Sequence, residues 1–323
     1  MIWGIFLAVS MCAEEIDPKW QTNENCEACH ANISGSWETS RHSNSHYSKN
    51  DLYKKTIDYM VTQKPTLIAD EVKVECAKCH NPRITKKSMN TEDKIMLTMG
   101  DDEKTKDYTK TLDALHMKNG INCIVCHNVD QIHLDKSKGS GGLNSVTFGP
   151  QGTMFGPFAD AVSPYHKTQQ RPHYEQDSPD LCFVCHYSAN NHNGLEVYAT
   201  GKEYDSLGGN VQGCKGCHMS DKESGFASNY ALLGDKPKAR MVRKHRFTSV
   251  DNSNILSRYT EVTAKNDDKQ LDIAVKNNSP HKIPTGYGLR EIVIEVKFLD
   301  SNEKLIEEKR VTLGSAWKDQ NGK

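Results

Sequence analysis

Apolar residues recur at helical spacing in three stretches between about positions 50 and 120. In Asp51–Gln63, Leu52, Ile57, Met60 and Val61 fit one side of a helix. Thr91–Met99 and Tyr108–Lys118 read the same way. The pattern then lapses. Lys136–Gly152 is rich in Gly and Ser, and Gly149-Pro150 and Gly156-Pro157 continue the punctuation, so a loop without helix is expected. Up to about residue 255 the chain therefore predicts short helices and loops with almost no sheet.

Beyond that point the period changes to two. Leu271, Ile273 and Val275 alternate with polar residues, as do Ile292, Ile294, Val296 and Phe298, and a third run covers Leu305–Thr312. Asn277–Pro280 and Pro284–Gly288 supply turns. Alternation bounded by turns argues antiparallel strands. A small β-sandwich-like domain is expected over 255–323. Its few strands and polar ending (KDQNGK) suggest that it is cut short.

Composition sharpens the question of what fills the core. Only 36% of the 323 residues are hydrophobic, and the mean hydropathy is −0.70. Adding Gly still leaves the chain below the roughly 45–50% of an ordinary globular protein. Lys+Arg 41 nearly balances Asp+Glu 42, which is not the balance of a nucleic-acid binder. No run of about 18 apolar residues is present, so no membrane span is expected.

The cysteines answer the question. Ten of the eleven form five copies of Cys-x-x-Cys-His: Cys26–His30, Cys76–His80, Cys123–His127, Cys182–His186 and Cys214–His218. This is the attachment signature of c-type haem. Cys26, Cys29, Cys76, Cys79, Cys123, Cys126, Cys182, Cys185, Cys214 and Cys217 lie in pairs one turn apart, suited to thioether bonds with the two porphyrin vinyl groups. His30, His80, His127, His186 and His218 then reach the irons as proximal ligands. A zinc ribbon would pair CxxC units without a His after each, and a disulfide scaffold would not repeat one five-residue string. Five covalent haem c groups, each with its iron, supply the apolar bulk the side chains lack. The expected fold over 14–254 is a mainly helical and irregular pentahaem cytochrome c domain with a haem-filled core. The motif intervals are unequal, so this is no tandem repeat. Each ferric haem adds about −1, bringing the formal −1 of the chain to about −6.

Ile2–Val9 is a short apolar run followed by Glu14, Glu15 and Asp17, with small residues at Ala8 and Ser10. Residues 1–13 therefore read as a secretory signal without its basic start, and the periplasm is the expected compartment. Met11 ahead of Cys12 argues against a lipid anchor there. The basic stretch Lys236–Arg246 reads as a solvated or propionate-pairing face rather than a docking site.

Nine further histidines can provide distal ligands: His42, His46, His116, His133, His166, His173, His192, His245 and His281. Two histidines per iron would lower the potential and close the metal to substrates. His42 and His46 share a face if their segment is helical.

Cys26–His30 followed by Trp37, Ser40 and His42 resembles the CxxCH…WxxSxH opening of the cytochrome c-554 family. Asn119–His127 and Gly213–Met219 resemble further segments of that family, and Phe155–His166, His245–Phe247 and Pro280–Gly286 are similar to stretches of related multihaem proteins. The resemblance implies distal roles for His42, His116, His133, His166 and His245, with His173 and His281 in reserve. A fifth motif departs from the four-haem members. No CxxCK is present, as the pentahaem nitrite reductases would require, and the motifs fall short of the eight of hydroxylamine oxidoreductases.

The first functional expectation is an electron carrier. Its redox partners would be a quinol-linked or soluble donor and a terminal reductase or oxidase. The alternative is an oxidoreductase with one five-coordinate haem acting on a small nitrogen or sulfur compound, with Lys167 and Arg171 near His166 as candidate anion-binding groups. A third is an assembly role for the β-rich tail.

Overall fold

The computed structural model describes residues 15–86, 89–100, 102–175, 178–191, 193–209, 213–228, 238–248, 253–267 and 270–315. The expected signal segment 1–13 with Cys12, and also His192, lie outside these residues.

Helices come first and carry the motifs. They are α1 (Glu24–Glu38), α2 (Asp51–Gln63), α3 (Ala69–His80), α4 (Thr91–Thr98), α5 (Asp102–Leu112), α6 (Leu115–Lys118), α7 (Cys123–His127), α8 (Asp180–His186), α9 (Thr200–Ser206), α10 (Gly213–His218) and α11 (Ser253–Tyr259). The expected helix at Asp51–Gln63 is α2. Asn50 caps it, its side chain accepting from the Tyr53 N–H. Thr91–Met99 corresponds to α4, capped in the same way by Asn90. Tyr108–Lys118 is not one helix: α5 stops at Leu112 and α6 restarts at Leu115.

Four of the five CxxCH copies close a helix. α3, α7, α8 and α10 each finish on the motif histidine. α1 runs on, but leaves helical geometry at His30 (φ −112°, ψ 37°). The two cysteines are thus held on one helical face by their spacing of three, while the histidine backbone is free to turn away.

The haem region has more sheet than its sequence suggests. Short strands β1 (Val129–Ile132), β2 (Val146–Phe148), β3 (Thr153–Gly156), β4 (Lys167–Gln170), β5 (Ala189–Asn190), β6 (Glu196–Tyr198), β7 (Glu223–Gly225) and β8 (Arg240–Val242) pair two by two. β3 and β4 are parallel, and the other pairs antiparallel. Lys136–Gly152, expected as plain loop, holds two 3₁₀ turns and β2. At two to four residues these strands are too short to show a periodicity. They tie loops to motif helices.

By contacts the chain divides into two compact units. The first takes in the described parts of 1–133, 141–175 and 218–247, and the second those of 134–140, 176–217 and 248–323. The core of the first joins Val74 and Ala77 of α3 to Ile84, Met89, Tyr108, Leu112 and Met117. The second has a small aromatic cluster of Phe183, Tyr187 and Tyr204, with Cys214 and Leu134 against it.

The expected C-terminal strands are present as β10 (Leu271–Asn277), β11 (Glu291–Leu299) and β12 (Leu305–Gly314), with β9 (Thr260–Asn266) in addition. Among the described residues no sandwich is formed: β9 pairs only with β10, and β11 only with β12. A sandwich buries one face of each sheet. Here β10 and β12 are exposed throughout, and β11 merely alternates between half-buried and exposed. Among the described residues no helix is long and apolar enough to cross a membrane.

Candidate functional site

The motif histidines are oriented through their Nδ1 atoms. Nδ1 of His30 is 2.5 Å from the Ala227 carbonyl oxygen, that of His80 is 3.1 Å from Ser45 O, and that of His127 is 2.8 Å from Phe155 O. A carbonyl only accepts, so each Nδ1 carries the proton and each Nε2 presents its lone pair. Burial holds His80 and His127 below the ordinary histidine value, favouring the neutral ring that a metal requires. His186 and His218 close α8 and α10.

Two further imidazoles face motif histidines. The ring centroids of His30 and His166 are 6.3 Å apart at an interplanar angle of 32°. Those of His127 and His245 are 6.1 Å apart, also at 32°. Two imidazoles on opposite sides of one iron, with metal–nitrogen bonds of about 2.0 Å, have centroids about 6.3 Å apart. Neither pair could hydrogen-bond directly at that range. His166 and His245 also place Nδ1 against a backbone carbonyl, Lys167 O at 3.2 Å and Arg243 O at 3.1 Å. Burial lowers both, with His245 brought down to about 4 by burial and then by His127. These residues therefore fit haem iron.

The other distal candidates differ in setting. His116, on α6, is 5% exposed and neither ring nitrogen has a well-formed hydrogen-bond partner. Burial, then the charge of Arg83, lowers it to about 4. Such a buried imidazole, without a well-formed hydrogen bond, also suits a metal. His42 packs edge-on against Phe247 with centroids 4.3 Å apart. His133 is exposed, its Nε2 2.8 Å from Thr147 Oγ1. Of the reserves, His173 is buried with Nε2 3.1 Å from Val129 O, and His281 has Nδ1 2.8 Å from Lys282 O. His46 is held by protein at both nitrogens, Nδ1 at 2.7 Å from Ser48 Oγ and Nε2 at 3.0 Å from Leu112 O.

The backbone around the motifs is tightly fitted. At Gly142 (φ +53°) a Cβ would lie 2.2 Å from Lys78 O and 2.8 Å from Cys79 Sγ, so only glycine lets this turn approach the second motif. Asn81 and Asn128, each next to a motif histidine, are buried. Asn81 Nδ2 donates to His116 O and Gly120 O. Asn128 Nδ2 donates to Pro150 O and Thr153 O, and its Oδ1 accepts from Arg83 Nη1. Trp37 donates from Nε1 to Ile121 O at 2.8 Å, tying the first motif's helix to the approach of the third.

Three tyrosines went unread in the sequence. Tyr53 stacks on His80 (4.1 Å, 20°), and Tyr174 lies parallel to His127 (5.6 Å, 6°). The Tyr174 hydroxyl donates to Cys126 O, and Tyr198 donates to Cys185 O at 2.6 Å. No local pattern marks them, because each partner is distant in sequence or in another element.

The charged groups are largely satisfied by protein. Arg171 pairs with Asp130 (Nε to Oδ1, 2.7 Å) and stacks over Phe155. In the basic stretch, Lys238 and Arg240 both pair with Asp160, Lys244 pairs with Glu223, and Arg243 donates to Ser220 O. A cleft of about 740 Å³ lies beside His166, lined among others by Lys19, Trp20, Tyr165 and Lys167.

Residues 25–128 match the model of the family described as cytochrome c554 and c-prime. The chain is also similar to a penta-heme cytochrome c552 from Thermochromatium tepidum, a crystal structure, with 19% identity and a TM-score of 0.62. The match covers 90% of this chain and 74% of that one, and at this identity it speaks for the fold. No curated protein matches. With its five CxxCH copies, the chain is a multihaem c-type cytochrome, similar over residues 25–128 to the cytochrome c554 and c-prime family.

Proposed function

We propose that the chain is a periplasmic pentahaem cytochrome that carries electrons between respiratory partners, a quinol-linked or other donor and a terminal reductase or oxidase. The observation that carries this reading is the pair of facing imidazoles, His30 with His166 and His127 with His245, at iron-spanning distances. Haem c, when bound, supplies a one-electron iron centre. The chain's own residues do the rest. His30, His80, His127, His186 and His218 would hold the irons through the motifs, His166 and His245 would give two of them a second histidine, and His116 is the next candidate. Carbonyls of Ala227, Ser45 and Phe155 fix the ring orientation and raise ligand basicity. Two imidazoles per iron leave no position for a substrate, which suits a carrier rather than a catalyst. The haem-binding domain extends over 14–254, and the β-rich segment 255–323 follows it.

The test uses the holoprotein, matured in a host that attaches c-type haem. The fully reduced spectrum is recorded before and after carbon monoxide. No change is expected. A change worth about one haem in five would mean an open iron and would move the reading to a catalytic oxidoreductase acting on a small nitrogen or sulfur compound.

A further inference from the structure

We infer that the haem sites of the first and third motifs brace one another: each site's axial histidine is positioned by the segment that serves the other. The inference rests on the axial pairs proposed above and goes beyond them, since separate bis-histidine sites need no shared supports.

Two segments each serve both sites. The first is the parallel pair β3/β4. Phe155 in β3 accepts from Nδ1 of His127, in the third motif. β4 begins directly after His166, which faces His30 of the first motif. The strands are locked in register from Thr153↔Lys167 to Gly156↔Gln170, and the Lys167 N–H donates to Gly152 O at 2.9 Å. The second is the antiparallel pair β7/β8 with its flanks. Ala227, just past β7, accepts from Nδ1 of His30. His245, three residues past β8, faces His127.

A direct tie joins the two sites as well. Ser36, on the first motif's helix, accepts from the His245 N–H at 2.9 Å and donates to Ile33 O. Backbone hydrogen bonds fix strand register to a fraction of an ångström. A ring shift at His166 therefore moves β4, β3 and the carbonyl that orients His127. A coupling of this kind needs a contiguous physical chain, and every link here is a named contact.

The test is electron paramagnetic resonance of the fully oxidised holoprotein, where all irons carry the same charge and neighbouring-haem potentials do not enter. His166→Gly is expected to remove one low-spin signal and to displace the g-values of a second, that of the His127/His245 iron. Free imidazole should restore both together. Loss of one signal with the rest unchanged would overturn the bracing and leave the axial pair standing. No loss of any low-spin signal would overturn the axial pair itself. Ser36→Ala is the gentler variant should His166→Gly fail to load haem. It is expected to displace the signal of the His127/His245 iron, and Ser36→Thr to return it. An unmoved spectrum in Ser36→Ala would overturn the bracing.

Discussion

Replacing Asn128 tests whether the motif surroundings are held by side-chain to backbone bonds as described. Asn128 is 3% exposed and makes three hydrogen bonds: Nδ2 to Thr153 O at 2.8 Å, Nδ2 to Pro150 O at 3.2 Å, and Oδ1 from Arg83 Nη1 at 3.1 Å. In Asn128→Ala the Thr153 carbonyl stays buried without its donor, costing about 1–1.5 kcal/mol. The Pro150 residue is exposed, so water replaces that bond at little cost. The charged Arg83 donor loses an acceptor, costing about 1.5–2 kcal/mol. The sum is about 3 kcal/mol, which lowers the melting temperature of a unit this size by roughly 6–12 °C. Asn128→Asp keeps the acceptor for Arg83 and loses both donors, so it separates the two losses. The assay is thermal and urea unfolding of the holoprotein, followed in the Soret band. Midpoint and slope are compared with those of the unmodified protein. A loss below about 1 kcal/mol would refute the reasoning, because it would mean that solvent reaches the Thr153 carbonyl and Arg83.

His245→Ala should open one iron, so carbon monoxide should perturb one more haem per chain than in the unmodified protein. An unchanged difference spectrum would remove His245 from the ligand set. Gly142→Ala places a Cβ 2.2 Å from Lys78 O at a positive φ, so the turn must move off the second motif. The expected outcome is reduced haem content, read as haem per polypeptide, with full content sinking the prediction. His46 is lowered from 6.5, chiefly by burial. The unfolded chain then binds the extra proton first, so stability is full above pH 6.5 and falls as the pH drops below it. The slope is at most about 1.4 kcal/mol per pH unit for this group. His46→Gln should flatten urea midpoints measured from pH 7 to 5, and an unchanged profile would count against the assignment.

Much of the chemistry is local and therefore visible in one dimension. The cysteines and histidine of each haem-attachment signature fall within five consecutive residues, because one helical turn would present both sulfurs and the next residue would reach the iron. Helix α2 is equally legible, since its cap Asn50 and apolar face lie within fourteen residues. The alternation in 291–299 is β11. What no local pattern contains is the opposite side of each iron. His166 meets His30 across 136 positions, and His245 meets His127 across 118. A single histidine carries no mark of the partner it will face. The resemblance suggested five distal candidates, and only the fold distinguishes their settings: His166 and His245 face motif rings, His116 is buried without a well-formed hydrogen bond, and His133 is exposed against Thr147. The short strands β3, β4, β7 and β8 were hidden for the same reason. Their residues are chosen to fit backbone partners and motif carbonyls, and not to line a repeating face. So the sequence by itself determined which residues carry the haem-attachment signature. Tertiary structure decided which histidines meet across an iron-sized gap, because that depends on where distant backbone segments are hydrogen-bonded together.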